Sequence, residues 1–168
     1  NAKHEIKCCR FAHNAYQKLF LKIYTELISM IKVGILGATG YAGIEVVRLL
    51  TAHPEAEIVR VVSQSFVGQK ISDVYQNLKG ICDLCCTALD IDDIAGSCDL
   101  VFTALPHGAS KTVIPSLYEK GLKIVDLSGD FRYNDPVVYE KWYGEPHSAP
   151  EVLKESVYGL CEIHRDEI

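Results

Sequence analysis

A glycine-rich segment at residues 33–50 constrains the fold of this chain more than any other part of its sequence. It reads VGILGATGYAGIEVVRLL, in which apolar residues lead into Gly37, Gly40 and Gly43, spaced three residues apart, before an amphipathic segment begins. Each glycine costs backbone entropy on folding, so three at a regular spacing indicate a backbone that requires them. The pattern predicts a strand, a tight turn and a helix.

The spacing of these glycines favours a turn that binds a diphosphate. Between a strand and a helix, Gly37 permits the tight turn, Gly40 lets a phosphate approach the backbone, and Gly43 lets the helix pack closely. The first helical turn offers unpaired N–H groups and the positive end of a dipole to a pyrophosphate. The spacing is G-x-x-G-x-x-G rather than G-x-G-x-x-G, and such turns also occur for packing alone. Its context predicts a dinucleotide site formed by seven consecutive residues, Gly37, Ala38, Thr39, Gly40, Tyr41, Ala42 and Gly43.

Segments typical of strands and of helices alternate along the chain from residue 31. The predicted strands are residues 31–36, 57–62, 99–104 and 123–127, and the predicted helices are residues 41–52, 90–95 and 109–120. We interpret residues 82–89 as a further strand and residues 64–80 as largely loop, and prolines 136, 146 and 150 break up the pattern after Asp135. The alternation predicts an α/β fold, a Rossmann-like doubly wound parallel sheet with helices on both faces.

The residues after the second predicted strand bear on the choice of cofactor. A domain of this type that binds NAD usually places Asp or Glu there to hold the ribose 2′-hydroxyl. Here the positions hold Ser63, Gln64 and Ser65, whose hydroxyl and amide groups would bind a 2′-phosphate. We therefore predict NADP (NADPH), with Lys70 as a source of positive charge, although no arginine follows this strand. A polar loop without a binding role is the alternative.

Two further segments follow predicted strands, at the carboxyl edge where open α/β sheets bind ligands. In DLSGDFRYND, Arg132 is the candidate clamp for a phosphate or carboxylate of the substrate. Asp126 and Asp130 are either paired catalytic carboxylates or, as we favour, caps of turns or groups that orient Arg132. In TALPHGAS, the expected cofactor contacts are Ala104, Leu105, Pro106, His107 and Gly108. His107 is expected to have a positional role and not to transfer a proton.

Composition argues against several classes of function. The net charge is −5, and residues 31–168 hold twelve basic and twenty acidic residues, so a nucleic-acid partner is not expected. No run reaches the ~18 uncharged apolar residues of a membrane-spanning helix.

The seven cysteines are odd in number and follow no secretory signal, which predicts free thiols and a cytoplasmic protein. Cys82 and Cys85 form a C-x-x-C without a second pair, so no metal site is predicted.

Residues 1–29 differ from the rest of the chain. They are basic, carry apolar residues near helical spacing such as Phe11, Leu19 and Ile23, and precede the only methionine, Met30. A targeting or partner-binding amphipathic helix is one interpretation. We favour an upstream extension of uncertain status, with the functional domain starting at Met30.

Four motifs occur in an order that resembles one enzyme family. GATGYAG at residues 37–43, ALPHG at 104–108, DLSGDFR at 126–132 and VYGL at 157–160 are similar to motifs of the N-acetyl-gamma-glutamyl-phosphate reductases, relatives of aspartate-semialdehyde dehydrogenase. The resemblance covers residues 30–168. It implies a homo-oligomeric enzyme of arginine biosynthesis that reduces N-acetyl-glutamyl 5-phosphate to N-acetylglutamate 5-semialdehyde with NADPH. It also implies a cysteine thiolate that attacks the acyl group and releases phosphate before a hydride reduces the thioester.

The chain departs from this resemblance at several positions. The nucleophile would lie in a Gly-Cys-Tyr context after VYGL, which does not occur before Ile168, and Cys161 stands where the family usually has proline. Gln64 stands where many relatives have arginine. The resemblance thus implies a dinucleotide-binding domain at residues 30–150, the start of a mostly missing catalytic α+β domain at residues 151–168, and a chain inactive alone. The alternatives are a fragment of an aspartate-semialdehyde dehydrogenase-like reductase and a non-catalytic nucleotide-binding module.

Overall fold

The computed structural model describes residues 30–168, and residues 1–29, with the expected extension, lie outside the described residues. The chain divides into two units, Asn1–Met30 and Ile31–Ile168, and the second contains every element described. Its strands are β1 (Ile31–Leu36), β2 (Ala56–Val62), β3 (Leu100–Thr103) and β4 (Lys123–Asp126). Its helices are α1 (Tyr41–Leu50), α2 (Ile71–Val74), α3 (Ile91–Ser97), α4 (Ser110–Glu119), α5 (Pro136–Tyr143), α6 (Pro150–Lys154) and α7 (Cys161–His164), with a 3-10 turn at Gln76–Leu78. None of the helices in this described part is long and apolar enough to cross a membrane.

The four strands form one parallel sheet in the order β2-β1-β3-β4, which confirms the Rossmann-like sheet expected from the alternation. Leu36, the last residue of β1, lies opposite Val62 of β2 on one side and Thr103 of β3 on the other, so the three strands end at the same level. The chain leaves β1 toward β2 and later reaches β3 on the opposite side of β1. The strand order therefore reverses between β1 and β3, and a switch point of this kind is where open α/β sheets bind ligands.

Both faces of the sheet are covered because consecutive apolar residues of β1 point to opposite sides. Ile35 packs with Val47 of α1 in one core cluster. Leu36 packs with Ile94 of α3 and Leu117 of α4 in another. All five side chains are at most 1% exposed, and burial of each contributes about 1.5–3 kcal/mol to stability. The apolar pattern of the strand thus fixes helices on both faces.

Residues 82–89 do not form the predicted strand, and this prediction is wrong. The segment makes only two isolated bridges, one parallel to the end of β2 and one antiparallel to Lys70. Its apolar pattern has another cause, since Cys82 and Cys86 are buried in the core cluster that contains Ile35. A short irregular segment that is buried carries the same residue types as a buried strand, so the pattern alone does not separate the two.

The segment after Asp135 contains more helix than its broken pattern predicts. The Asp135 carboxylate accepts a hydrogen bond from the Val137 amide at 2.8 Å and caps α5. Pro136 and Pro150 lie in the first turns of α5 and α6. Proline suits this position because an amide there would have no acceptor within the helix. These two prolines therefore begin helices. The predicted strand 31–36 matches β1, the other predicted strands and helices differ by one or two residues at their ends, and the predicted loop 64–80 contains α2 and the 3-10 turn.

Substitution of Gly43 by alanine is expected to destabilise the fold, whereas the same change at Gly96 is not. A Cβ at Gly43 would lie 2.8 Å from the Ala38 Cα and still closer to the Gly37 carbonyl oxygen, so α1 would have to move. A Cβ at Gly96, inside α3, would meet no atom within 4 Å. By urea denaturation we expect Gly43→Ala to lower the free energy of unfolding by about 2 kcal/mol and Gly96→Ala to raise it by about 0.5 kcal/mol. Equal stability of the two variants would contradict the close packing of α1.

Candidate cofactor-binding site

The glycine turn, residues 37–43, lies at the switch point of the sheet. Gly37 has a φ of +79°, which side chains disfavour, and a Cβ there would collide with the Ala104 carbonyl oxygen. Ala104 donates its amide to the Leu36 carbonyl at 2.8 Å and begins the loop that follows β3. The glycine turn and this loop, residues 104–108 and named the β3 loop, therefore contact each other at the carboxyl edge of the sheet.

The helix that follows the glycine turn begins with amides that the protein does not cap. The Gly37 and Ala38 amides both donate to the Val62 carbonyl at 3.0 Å and are already used. Gly40 is the N-cap of α1 and has no side chain with which to accept a hydrogen bond. The first amides of a helix have no acceptor within the helix, and they lie at the positive end of its dipole. The amides left without an acceptor within the helix are therefore those of Tyr41, Ala42 and Gly43, of which the first two belong to exposed residues while Gly43 is buried.

Ser63 lies at the end of β2, but its side chain is directed to the glycine turn. It is 4% exposed, and its hydroxyl oxygen lies 2.7 Å from Oγ1 of Thr39. Gln64 and Ser65 are exposed, so they are the two predicted side chains accessible to a ligand beside β2. The Tyr75 hydroxyl, which no sequence motif singled out, donates to the Thr39 carbonyl at 2.7 Å.

A buried carboxylate holds the β3 loop in place. Asp130 is fully buried, and its two oxygens accept the amides of Gly108 at 3.0 Å and Lys111 at 3.2 Å. One of these oxygens also lies 2.7 Å from Nδ1 of His107. The His107 ring stacks on Tyr143 with ring centres 4.6 Å apart. These contacts fix His107 at the carboxyl edge of the sheet while 47% of its side chain stays exposed.

Asp126, the first carboxylate of the same motif, joins three elements. It accepts hydrogen bonds from the hydroxyls of Thr103 at the end of β3 (2.6 Å) and Ser110 at the start of α4 (3.0 Å). It also accepts from the Ser128 hydroxyl at 2.6 Å. Within residues 30–168, neither aspartate of the motif forms an ion pair with Arg132. The hydrogen bonds of both carboxylates go to the turns and loops around them, as expected for caps of turns.

Arg132 is exposed and lines a groove that also contains Val157 and Tyr158, the first two residues of the VYGL motif. The groove has a volume of about 510 Å³ and is lined by residues that include Arg132, Tyr133, Tyr158 and Glu167. A recess of about 220 Å³ shares Arg132 and Tyr158 with it and extends to Leu160. Two motifs that are separated in sequence thus face one cavity. The guanidinium of Arg132 is placed to bind an anion that enters there.

A polar and aromatic cluster, which no sequence signal predicts, surrounds Tyr139 of α5 and combines the buried Tyr139 and His147 with the more exposed pair Lys111 and Glu145. Tyr139 is fully buried, and its ring meets that of His147 edge to face at 4.8 Å. Burial raises the pKa of Tyr139 and lowers the pKa of His147. The Lys111 ammonium binds Glu145 at 2.6 Å, which raises the pKa of Lys111 and lowers the pKa of Glu145. Tyr139 packs on Tyr143 at 4.7 Å, so the cluster anchors the ring on which His107 stacks.

Three of the cysteines near the sheet are buried. Cys82 and Cys86 are buried, Cys85 is exposed, and all three are free thiols. Burial raises the pKa of Cys82, Cys86 and Cys98, which lowers their thiolate fraction at neutral pH. No group of three or more metal-ligating side chains occurs in the part of the chain that the structure describes.

The parallel sheet, its switch point and the glycine turn together define an α/β fold of the dinucleotide-binding type. Residues 32–168 match the family model described as semialdehyde dehydrogenase, NAD binding domain. The chain therefore belongs to the semialdehyde dehydrogenase family. This confirms the resemblance carried by the four sequence motifs.

Known proteins similar to this chain are longer than it is. The N-acetyl-gamma-glutamyl-phosphate reductase of Acetivibrio thermocellus is 59% identical over 139 residues, which are 83% of this chain and 40% of that protein. The enzyme of the same name from Halothermothrix orenii is 51% identical over the same shares of the two chains. A crystal structure of aspartate semialdehyde dehydrogenase with NADP from Candida albicans matches 64% of this chain and 32% of that one, with a TM-score of 0.58 and 29% identity. This chain thus spans about 40% of the length of these curated relatives.

The Asp130 carboxylate is expected to stabilise the fold more than an exposed helix cap does. Asp130→Ala leaves the amides of Gly108 and Lys111 without their buried acceptor, so we expect the free energy of unfolding to fall by about 3 kcal/mol. The matched control is Asp135→Ala, which removes the exposed cap of α5 and is expected to cost about 1 kcal/mol. Urea denaturation measures both. A loss for Asp130→Ala no larger than that of the control would contradict the role of this carboxylate.

Proposed function

We propose that this chain forms the NADP(H)-binding part of an N-acetyl-gamma-glutamyl-phosphate reductase, which reduces N-acetyl-glutamyl 5-phosphate to N-acetylglutamate 5-semialdehyde. The observation that carries the proposal is the uncapped start of α1 at Gly40, placed against the β3 loop at the switch point. The identity of 59% to a reductase of that name supports the substrate class. By the resemblance, the dinucleotide-binding domain would end near residue 150, and the enzyme would be a cytoplasmic homo-oligomer.

The glycine turn fits a dinucleotide because its shape depends on absent side chains. A Cβ at Gly37 or Gly43 would enter the space that the β3 loop and the turn itself occupy. A Cβ at Gly40 would meet the Gly37 carbonyl oxygen in a tight contact at 3.3 Å, with only the Ala104 carbonyl oxygen also within 4 Å. Glycine at this position avoids that contact and leaves the space beside the turn to a phosphate. We place the diphosphate at the amides of Tyr41, Ala42 and Gly43, where the helix dipole favours negative charge.

The two halves of the cofactor would extend from this point along two strand ends. We assign the adenosine ribose to the end of β2, where Gln64 and Ser65 are exposed and no carboxylate would repel a 2′-phosphate. The Candida albicans relative is named as a complex with NADP, which agrees with this choice. We assign the nicotinamide half to the β3 loop, residues 104–108, which Asp130 holds through the amide of Gly108.

The chain's own residues would bind and orient the reactants. When bound, NADPH supplies the hydride that reduces the acyl group. Asp130 and Tyr143 would hold His107 beside the nicotinamide half, as a positioning group and not a proton donor. Arg132 would bind the phosphate or carboxylate of the substrate in the groove it lines. We assign no nucleophile within residues 30–168, because Cys82, Cys86 and Cys98 are buried with raised pKa values and the resemblance places proline at Cys161.

An aspartate-semialdehyde dehydrogenase-like reductase is the second candidate, because a matching crystal structure with a TM-score of 0.58 is of an aspartate semialdehyde dehydrogenase. Its identity of 29%, against 59% for the glutamyl-phosphate reductase, favours the first candidate. A longer protein that carries residues 30–168 and a catalytic domain would separate the two. Faster NADPH oxidation with N-acetyl-glutamyl 5-phosphate than with aspartyl phosphate supports the first candidate, and the reverse preference supports the second.

A carboxylate placed at Gly40 is expected to weaken cofactor binding without unfolding the protein. Asp is a preferred N-cap residue, so Gly40→Asp should leave the start of α1 intact, but its charge would repel the diphosphate. Gly40→Asn is the matched control, since it adds the same bulk without the charge. By calorimetric titration with NADPH, we expect wild-type protein to bind saturably and Gly40→Asp to bind at least about tenfold more weakly than Gly40→Asn. Absence of saturable binding by wild-type protein would overturn the proposed function. Equal affinities of the two variants would show that the diphosphate does not bind beside Gly40.

A further inference from the structure

Thr39, at the centre of the glycine turn, is held by two hydroxyl groups from outside that turn. The Tyr75 hydroxyl donates to its carbonyl oxygen at 2.7 Å across 36 positions of sequence. The Ser63 hydroxyl lies 2.7 Å from its Oγ1 across 24 positions. One contact thus fixes the main chain of Thr39 and the other fixes its side chain.

Tyr75 is itself anchored by the core of the domain. Its ring packs against the buried cluster that contains Ile35 and Ile71. Its amide donates to the Ile71 carbonyl at 2.9 Å, and the Ile71 amide donates to Leu84 at 2.9 Å. The hydroxyl therefore reaches Thr39 from a well-packed position. Ser63 is equally fixed, because it is buried and its amide donates to the Thr87 carbonyl at 3.1 Å.

The contact with Tyr75 affects the point at which α1 begins. The peptide that joins Thr39 to Gly40 is bonded at both of its polar groups, since the Gly40 amide donates to the Gly37 carbonyl at 2.9 Å. This peptide comes directly before the uncapped amides of α1. Holding it fixes the direction in which those amides point. A binding loop that is already ordered loses less conformational entropy when its ligand binds.

We propose that Tyr75 and Ser63 are positioning residues that hold Thr39, and through it the glycine turn, in the conformation that binds the diphosphate. The inference rests on the proposed cofactor function. It gives Ser63 a role different from contact with the ribose, because its hydroxyl is engaged by Thr39. It also gives a function to the long connection between β2 and α3, which brings Tyr75 to the turn.

The test compares ligands that contain the diphosphate with one that lacks it. The wild-type chain of 168 residues and its Tyr75→Phe and Ser63→Ala variants are titrated by calorimetry with NADPH, ADP and 2′-AMP. Tyr75→Phe removes only a hydroxyl, and Tyr118→Phe, at an exposed tyrosine of α4, is the matched control. We expect Tyr75→Phe to weaken NADPH and ADP binding by about three- to tenfold and to leave 2′-AMP binding unchanged. Ser63→Ala should act in the same direction, and the control should bind all three ligands as wild-type protein does.

The outcomes separate this inference from the function on which it rests. If wild-type protein binds neither NADPH nor ADP, the proposed function fails. If wild-type protein binds both but Tyr75→Phe and Ser63→Ala bind them equally well, the positioning role is wrong. A loss of 2′-AMP affinity equal to that of ADP would also overturn it, because general loosening of the domain or direct contact with the ribose predicts that result. Should Tyr75→Phe fail to fold, Ser63→Ala decides the question on the same measurements.

Discussion

The close approach of Gly37 to the carbonyl oxygen of Ala104 determines how the loops that follow β1 and β3 pack at the edge of the sheet. The two strands are neighbours, so their carboxyl ends lie side by side, and the helices that follow them pack on opposite faces. The close approach requires a residue without Cβ in a left-handed conformation at Gly37. A second residue without Cβ, Gly43, lets α1 rest on the turn. The start of α1 and the β3 loop consequently share one edge, which is where we place the cofactor.

Carboxylates stabilise this edge from the side of β3 and β4. Asp126 bonds to hydroxyls at the ends of β3 and α4, and Asp130 bonds to the amides of Gly108 and Lys111. A buried carboxylate is stable only when hydrogen bonds replace its hydration, and here several donors do so. The same two aspartates therefore stabilise the fold and shape the β3 loop. Their motif also carries Arg132, which faces a separate groove, so one short segment links the cofactor edge to the candidate substrate site.

The parts of the fold that follow from local backbone demands could be predicted from the sequence. The glycine spacing indicated the turn after β1, because a turn depends on residues close in sequence. The alternation of apolar segments indicated the parallel sheet, because each strand and helix is also encoded locally and their alternating order is typical of such a sheet. Residues 82–89 were misread because burial, rather than strand pairing, explains their apolar character. The contact of Tyr75 with Thr39 and the contact of His107 with Asp130 could not be predicted, because the fold alone brings these residues together. Ser63 shows the same limit, since its position was predicted but the direction of its side chain was not.

The cofactor assignment depends on whether the first amides of α1 bind a diphosphate. Nuclear magnetic resonance of isotope-labelled protein titrated with NADPH observes these amides directly. We expect saturable shifts of the Tyr41, Ala42 and Gly43 amide signals, accompanied by shifts of the β3 loop signals, while the Gly96 signal in α3 stays in place. Saturable shifts confined to other parts of the chain, with the signals of α1 unchanged, would contradict it.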